Sequence, residues 1–165
     1  MLLIDILVEE HNRILEVAAH LEQMSIDLME RDMFDADEFS STIKFIREFG
    51  DATHHMKEED LLFAEMTKQL GKVAENLIQH GMMVEHDEGR MCVRELSAAC
   101  ERYAANPSAA DKLEIISWGM EYVHMIRRHI EKENTVVYPF AERQLDAETW
   151  ERLNREALAY VPKID

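Results

Sequence analysis

Two copies of a short pattern, His-x-x-x-Glu, constrain this chain more than any other feature. His54 and Glu58 form the first copy, and His129 and Glu133 form the second. On an α-helix, residues four apart lie one turn apart on one face, so each pair presents an imidazole and a carboxylate together. The copies are 75 positions apart, and so are Lys57 and Lys132, Phe63 and Tyr138, and the lone histidines His11 and His86. Those lone histidines sit in related strings, Glu10-His11-Asn12 and Glu85-His86-Asp87. The chain thus reads as two helical hairpins of one design, each offering a His from its first helix and a His-x-x-x-Glu from its second. Taken singly, a lone His on an apolar stripe is an ordinary core residue and His-x-x-x-Glu an ordinary surface pair. Six such residues at one offset point instead to a metal site.

The pattern needs long helices, and the apolar periodicity supplies them. From Leu2 to about Glu30, apolar residues recur every three or four positions, through Ile4, Leu7, Val8, Ile14, Leu15, Ala18, Leu21 and Leu28. After a polar break with Asp35 or Asp37 as cap, a second helix is expected from about Ala36 to near Lys68, with Gly71 as terminator. A third covers roughly Val73 to Ala105, and Asn106-Pro107-Ser108 is a turn. A fourth extends from about Ala109 to Tyr138, where Pro139 should bend or end it. A short helix after Asp146, about Ala147 to Tyr160, reads as a cover on the bundle and not as part of a site. The expected fold is all-α: an antiparallel up-down-up-down four-helix bundle (about 2–142) with a short C-terminal helix (about 146–160), all one domain over 1–165.

Composition narrows the function classes. With 165 residues, 47% hydrophobic, and only five Gly and three Pro, the chain has the material for a packed core. Its 18 basic and 34 acidic residues leave a formal charge of −16 and no basic stripe, which argues against nucleic acid. No apolar run of about 18 residues is present, so no membrane role is expected. The first residues lack a basic region and a small-residue cleavage site, so the expected location is cytoplasmic. Cys92 and Cys100, eight apart on one helix, are separated by roughly 12 Å of rise, too far for a disulfide within it. They read as reduced structural thiols. No Ser-His-Asp set, phosphate loop or Cys-x-x-Cys supports hydrolase, kinase or thioredoxin chemistry.

Four imidazoles and two carboxylates on one bundle layer can hold two metals, with two His on each and two bridging Glu. Ferritin-like bundles do this with more carboxylate. A mixed nitrogen and oxygen set suits iron or manganese, with zinc as an alternative, over magnesium or calcium. The other histidines read differently. His55 is rotated about 100° from His54, and an outer or interhelical role fits it better than direct ligation. His20 falls near the face opposite His11, and His80 is peripheral. His124 is a polar contact or a replacement fifth His. Met82 and Met125, each one turn before a ligand His, are packing residues or the walls of a small-ligand pocket in which Gly89 leaves room.

At this point the sequence resembles the hemerythrin-like (HHE, cation-binding) family. The resemblance rests on Leu7-Val-Glu-Glu-His11, His54-His-Met-Lys-Glu58-Glu-Asp-Leu-Leu-Phe63, Val84-Glu-His86-Asp-Glu-Gly-Arg90, and His129-Ile-Glu-Lys-Glu133 through Val137-Tyr-Pro139. It covers residues 3 to 142 or so. It implies a bundle around two non-haem iron ions joined by an oxo or hydroxo bridge. His11, His54, His86 and His129 would be terminal ligands, and Glu58 and Glu133 bridging carboxylates. The chain differs from the oxygen-carrying members at Met82, where they have a further His, and at Asn134, where their last motif has Asp while this chain offers Glu133. Both differences point away from oxygen carriage, toward members with two His-x-x-x-Glu motifs.

The leading functional expectation is a non-haem di-iron protein that binds or reacts with O2, NO or peroxide in sensing, protection or iron-centre repair. Its partners would be a small diatomic ligand and an electron-donor protein. The alternatives are an iron-responsive or iron-donating module without catalysis, and a zinc-stabilised structural bundle. Neither the oligomeric state nor the physiological ligand follows from the sequence.

Overall fold

The computed structural model describes residues 2–162, and every regular element among them is helical. α1 (Leu2–Arg31) is one uninterrupted helix. The second stretch is composite: α2 (Ala36–Phe45), a π-helical segment π1 (Ile46–His55), a second one π2 (Glu58–Phe63), and α3 (Ala64–Gln69). α4 (Gly71–Leu77), π3 (Ile78–Met82) and α5 (Met83–Ala105) make the third stretch. α6 (Ala109–Lys132), π4 (Glu133–Val137) and α7 (Tyr138–Gln144) make the fourth, and α8 (Ala147–Leu158) follows.

The connections obey local chemistry. Asp35 caps α2, accepting the N–H groups of Asp37 and Glu38 at 3.0 Å each. Ser108 Oγ accepts the Asp111 N–H at 3.0 Å to start α6, and Asp146 accepts the Thr149 N–H at 2.8 Å to start α8. Each cap satisfies a backbone donor that the helix itself cannot, worth about 1 kcal/mol. Gly71 ends α3 with a φ of 70°, in the left-handed region where a side chain would be strained.

Two local expectations are corrected. Pro139 does not end the fourth stretch, which continues to Gln144. The proline is the second residue of α7, so its missing N–H falls where the π turn gives way to α-helix. The second stretch is not a uniform α-helix either. The N–H of Met56 bonds to the carbonyl of Asp51, five residues back, and Thr53 Oγ donates to the Glu48 carbonyl, also five back, at 2.7 Å. Such widened turns concentrate at functional sites.

α6 packs against α1 and α5, and π1 lies against the same two helices. The apolar stripes merge into two clusters. One includes Ile14, Leu21, Phe39, Leu96, Ile115 and Val123, and the other Leu3, Leu7, Leu62, Phe63, Ile78 and Tyr138. Burying each such side chain is worth about 1.5–3 kcal/mol. α8 covers the second cluster through Trp150, Leu153 and Ala157, and Asn154 accepts the backbone N–H of Leu3 at 3.0 Å. Cys92 and Cys100 are free and buried; burial pushes their thiols up to about 11 and about 12, so they pack as neutral groups. No helix among the described residues is long and apolar enough to cross a membrane. Between the two clusters lies a polar layer.

Candidate metal centre

That layer holds all six residues singled out by the 75-residue offset. His11 comes from α1, His54 from π1, Glu58 from π2, His86 from α5, His129 from α6 and Glu133 from π4; all are buried. Their ligating atoms converge. His11 Nε2 is 3.1 Å from Glu133 Oε2, and His129 Nε2 is 3.2 Å from Glu133 Oε1. Glu58 Oε2 is 3.6 Å from both His54 Nε2 and His86 Nε2.

Two overlapping sets each have ligating atoms within 4.8 Å of one another, close enough for one ion: His11, His54, Glu58 and Glu133, and His55, Glu58, His86 and His129. The second set contains the residue that α-helical geometry put off the metal-facing stripe. His55 is buried and its ring stacks on His86, centroids 4.0 Å apart. A π turn rotates the chain less per residue than an α turn, so His54 and His55 straddle the inward direction and reach opposite ends of the layer. One sequence signal pointed there: the position 75 residues on is Ile130, an interior residue. His124 and His80 are exposed, and His20 pairs with Glu38 at 3.2 Å on the surface, so His124 is not a replacement fifth histidine.

The outer atom of every ring is held. Glu10 accepts from His54 Nδ1 at 3.0 Å and from Lys57; at the equivalent place, Glu85 accepts from His129 Nδ1 at 2.9 Å and from Lys132. Glu59 accepts from His86 Nδ1 at 2.7 Å and from Arg90, and Asn134 Oδ1 accepts from His11 Nδ1 at 3.0 Å. Asp51, anchored by Arg90, lies 3.5 Å from His55 Nδ1. Carboxylates and the Asn134 amide oxygen only accept here, so in the neutral form of each ring the proton sits on Nδ1 and Nε2 turns a lone pair inward, the tautomer that metal ligation needs.

The fit of a cation can be tested on these atoms. With the imidazoles neutral, the Nε2 atoms of His54, His55, His86 and His129, Glu58 Oε2 and both oxygens of Glu133 are buried without a hydrogen-bond partner. An unpaired buried polar atom costs about 1–3 kcal/mol, and a charged one more. The residues that carry these seven atoms belong to the two overlapping sets, and cations held by those sets would satisfy them. Without one, protons must compensate. Burial, then the neighbouring Glu133, push Glu58 well above the usual carboxylate range. Burial opposes charge on His129 too, but Glu133 and Glu85 outweigh it and lift that ring to about 9. Glu133 stays ionised despite burial because His129, His11 and His86 hold it far down. Burial, then His11 and His55, push His54 well below its ordinary value, and burial, then His86, takes His55 to about 3.

Tyr138, which belongs to no histidine motif, joins the centre. Its hydroxyl donates to Glu58 Oε1 at 2.5 Å and lies 3.3 Å from His11 Nε2. Gly89 does not leave the expected open room next to Met125. A Cβ there would stand 2.8 Å from Met125 Cε, so the methionine already fills that space. Met82 packs in the opposite apolar cluster.

A family model described as Hemerythrin HHE cation binding domain matches residues 2–141, nearly the whole chain and every residue of both ligand sets. No curated protein matches the chain. Two buried, overlapping His/Glu sets within a helical bundle agree with that match, and the chain belongs to the hemerythrin HHE cation-binding family.

Proposed function

We propose that this protein holds two non-haem iron ions, one in each ligand set, and binds or reacts with O2, NO or peroxide in sensing, protection or iron-centre repair. The observation that carries this reading is the group of seven unpartnered polar atoms in a buried layer. Five imidazoles and two carboxylates suit iron or manganese over the hard oxygen-only cations, and zinc would give a redox-inert variant. Iron in such a site supplies electrons and an open position for a small ligand. The four long helical stretches would run antiparallel, up-down-up-down, so that ligands distant in sequence meet in one layer.

The residues divide the work. Glu58, common to both sets, ties them together, and Glu133 approaches histidines of both halves. Glu10, Glu85, Glu59, Asn134 and Asp51 orient the rings and raise their basicity through Nδ1. Tyr138 holds a proton at Glu58 Oε1. The two apolar clusters exclude bulk water from above and below.

Anaerobic iron titration followed by absorption spectra before and after O2, NO and peroxide tests this. Saturation at about two irons per chain and a new spectrum with one of the three ligands are expected. Binding of fewer than about one iron, or indifference to all three ligands, overturns it. The same buried atoms favour a second reading, an iron-responsive or iron-donating module, since removing the cation leaves them unpaired. Iron-dependent folding with no ligand reactivity would select that alternative.

A further inference from the structure

A cleft of about 260 Å³ opens between π1, α5 and α6, lined by Ile46, Gly50, Asp51, His55, Gly89 and Tyr122, among others. His55, a member of the second ligand set, forms part of its wall. We infer that small ligands reach the centre through this cleft, on the side of His55, His86 and His129, and not past His11 and His54. The inference rests on the di-iron reading and specifies its access route.

Three observations support it. First, the space is specific to one half of the duplicated design. The positions 75 away from Gly50, Asp51, His55, Gly89 and Arg90 are Met125, Ile126, Ile130, Ile14 and Leu15, all apolar and packed in or against the core. Where one half is solid hydrocarbon, the other has two glycines, a histidine and an ion pair.

Second, the other side is closed. The Tyr138 hydroxyl lies against both Glu58 and His11, and its ring stacks parallel to that of His11, centroids 5.6 Å apart. A ligand arriving there would have to displace a buried tyrosine.

Third, the cleft is built to stay open and to admit small molecules. Arg90 binds Asp51 across it, with Nη2–Oδ1 at 2.8 Å, and also holds Glu59, so π1 and α5 are tied at a set distance. A Cβ at Gly50 would find only Ile46 Cγ2 and Tyr122 Oη, each at 3.9 Å, so this glycine borders free space. The Tyr122 hydroxyl, next to Gly50, adds a polar contact to a wall on which Ile46 and Val93 are apolar and Asp51, His55 and Arg90 are polar. The volume exceeds what one diatomic molecule needs, since a water occupies about 30 Å³ of liquid, so triatomic ligands such as azide fit as well.

Narrowing the cleft tests the route. Gly50→Leu fills it from a position that is not a ligand, and Gly50→Ala is the milder variant, whose added atom meets only ordinary contacts. In iron-loaded protein, the association rates of NO and azide should fall on the order of tenfold in Gly50→Leu and less in Gly50→Ala, with iron content and final spectra unchanged. Metal-free protein supplies a second readout: xenon should occupy the cleft in the parent and be excluded from Gly50→Leu. If Gly50→Leu fails to fold, Gly50→Ala and xenon in the parent still decide. Unchanged rates in iron-replete variants, or a parent cleft that takes no xenon, overturn the route and leave the di-iron reading standing. Iron-replete parent that forms no adduct overturns both.

Discussion

The two halves of the centre share a plan and differ at three positions that matter. His54 with Glu58, Glu10 and Lys57 repeats as His129 with Glu133, Glu85 and Lys132, down to the hydrogen bond on each outer ring nitrogen. Yet His55 has Ile130 as its counterpart, Glu59 has Asn134, and Phe63 has Tyr138. One half therefore gains a third imidazole, a charged acceptor behind His86 and an apolar ring beside it. The other half keeps two imidazoles, a neutral acceptor behind His11 and a phenol against the carboxylate. A duplicated scaffold thus sets its two candidate cation sites in unlike surroundings, which suits the proposed chemistry if only one of them meets the ligand.

Substitutions that abolish or equalise the halves test this comparison. Glu58 belongs to both sets, so Glu58→Ala should have the largest effect, lowering iron from about two to below one per chain in metal analysis. Retention of both ions would remove Glu58 from its shared role. His55→Ile makes the halves alike at that position. It should weaken binding at one of the two candidate sites by roughly ten- to a hundredfold and leave the other, moving the two steps of the iron titration apart relative to the parent. Equal weakening of both ions would show that His55 does not serve one side.

Tyr138→Phe copies the other half at position 63. In metal-free protein it leaves Glu58 Oε1 without its donor, so a loss of about 1–3 kcal/mol is expected in denaturant unfolding. Iron content should persist, because the hydroxyl belongs to neither ligand set.

The smallest effect is a difference in pH dependence. Glu133 and Glu85 hold His129 up at about 9 in metal-free protein, whereas its counterpart His54 is pushed down. A ring whose folded value is raised contributes stability that is fully present below its unfolded value, about 6.5, and lost as pH rises through about 9. Metal-free protein should therefore lose thermal stability between about pH 7 and 9. Iron-loaded protein should lose none in that window, since a ligating imidazole is already neutral. Identical profiles for the two forms would count against His129 as a ligand.

Much of this was legible in the chain. Apolar spacing of three and four residues placed the long helices, Asp35 and Ser108 their caps, and the offset of 75 the six convergent side chains. These signals survive without a fold because each depends on residues within a turn or two, or on repetition along the chain. α-Helical geometry sets His55 off the inward face because it assumes a rotation of about 100° per residue, and the backbone there is π-helical. At Pro139 the helix does not end, since a π turn lies just before it and the stretch continues to Gln144. Tyr138 was visible only as the partner of Phe63, with nothing in its neighbours to say that its hydroxyl meets Glu58 from 80 residues away.

The sequence by itself determined helical content, the duplicated motif and the set of imidazoles and carboxylates, because periodicity and side-chain chemistry are local properties. Only the tertiary structure decided that both adjacent histidines, His54 and His55, reach the layer, which acceptor backs each ring, and which side of the layer has a cleft. Those depend on backbone pitch and on atoms from different helices meeting within about 3 Å, distances that hydrogen bonding enforces across the bundle and that no stretch of chain encodes alone.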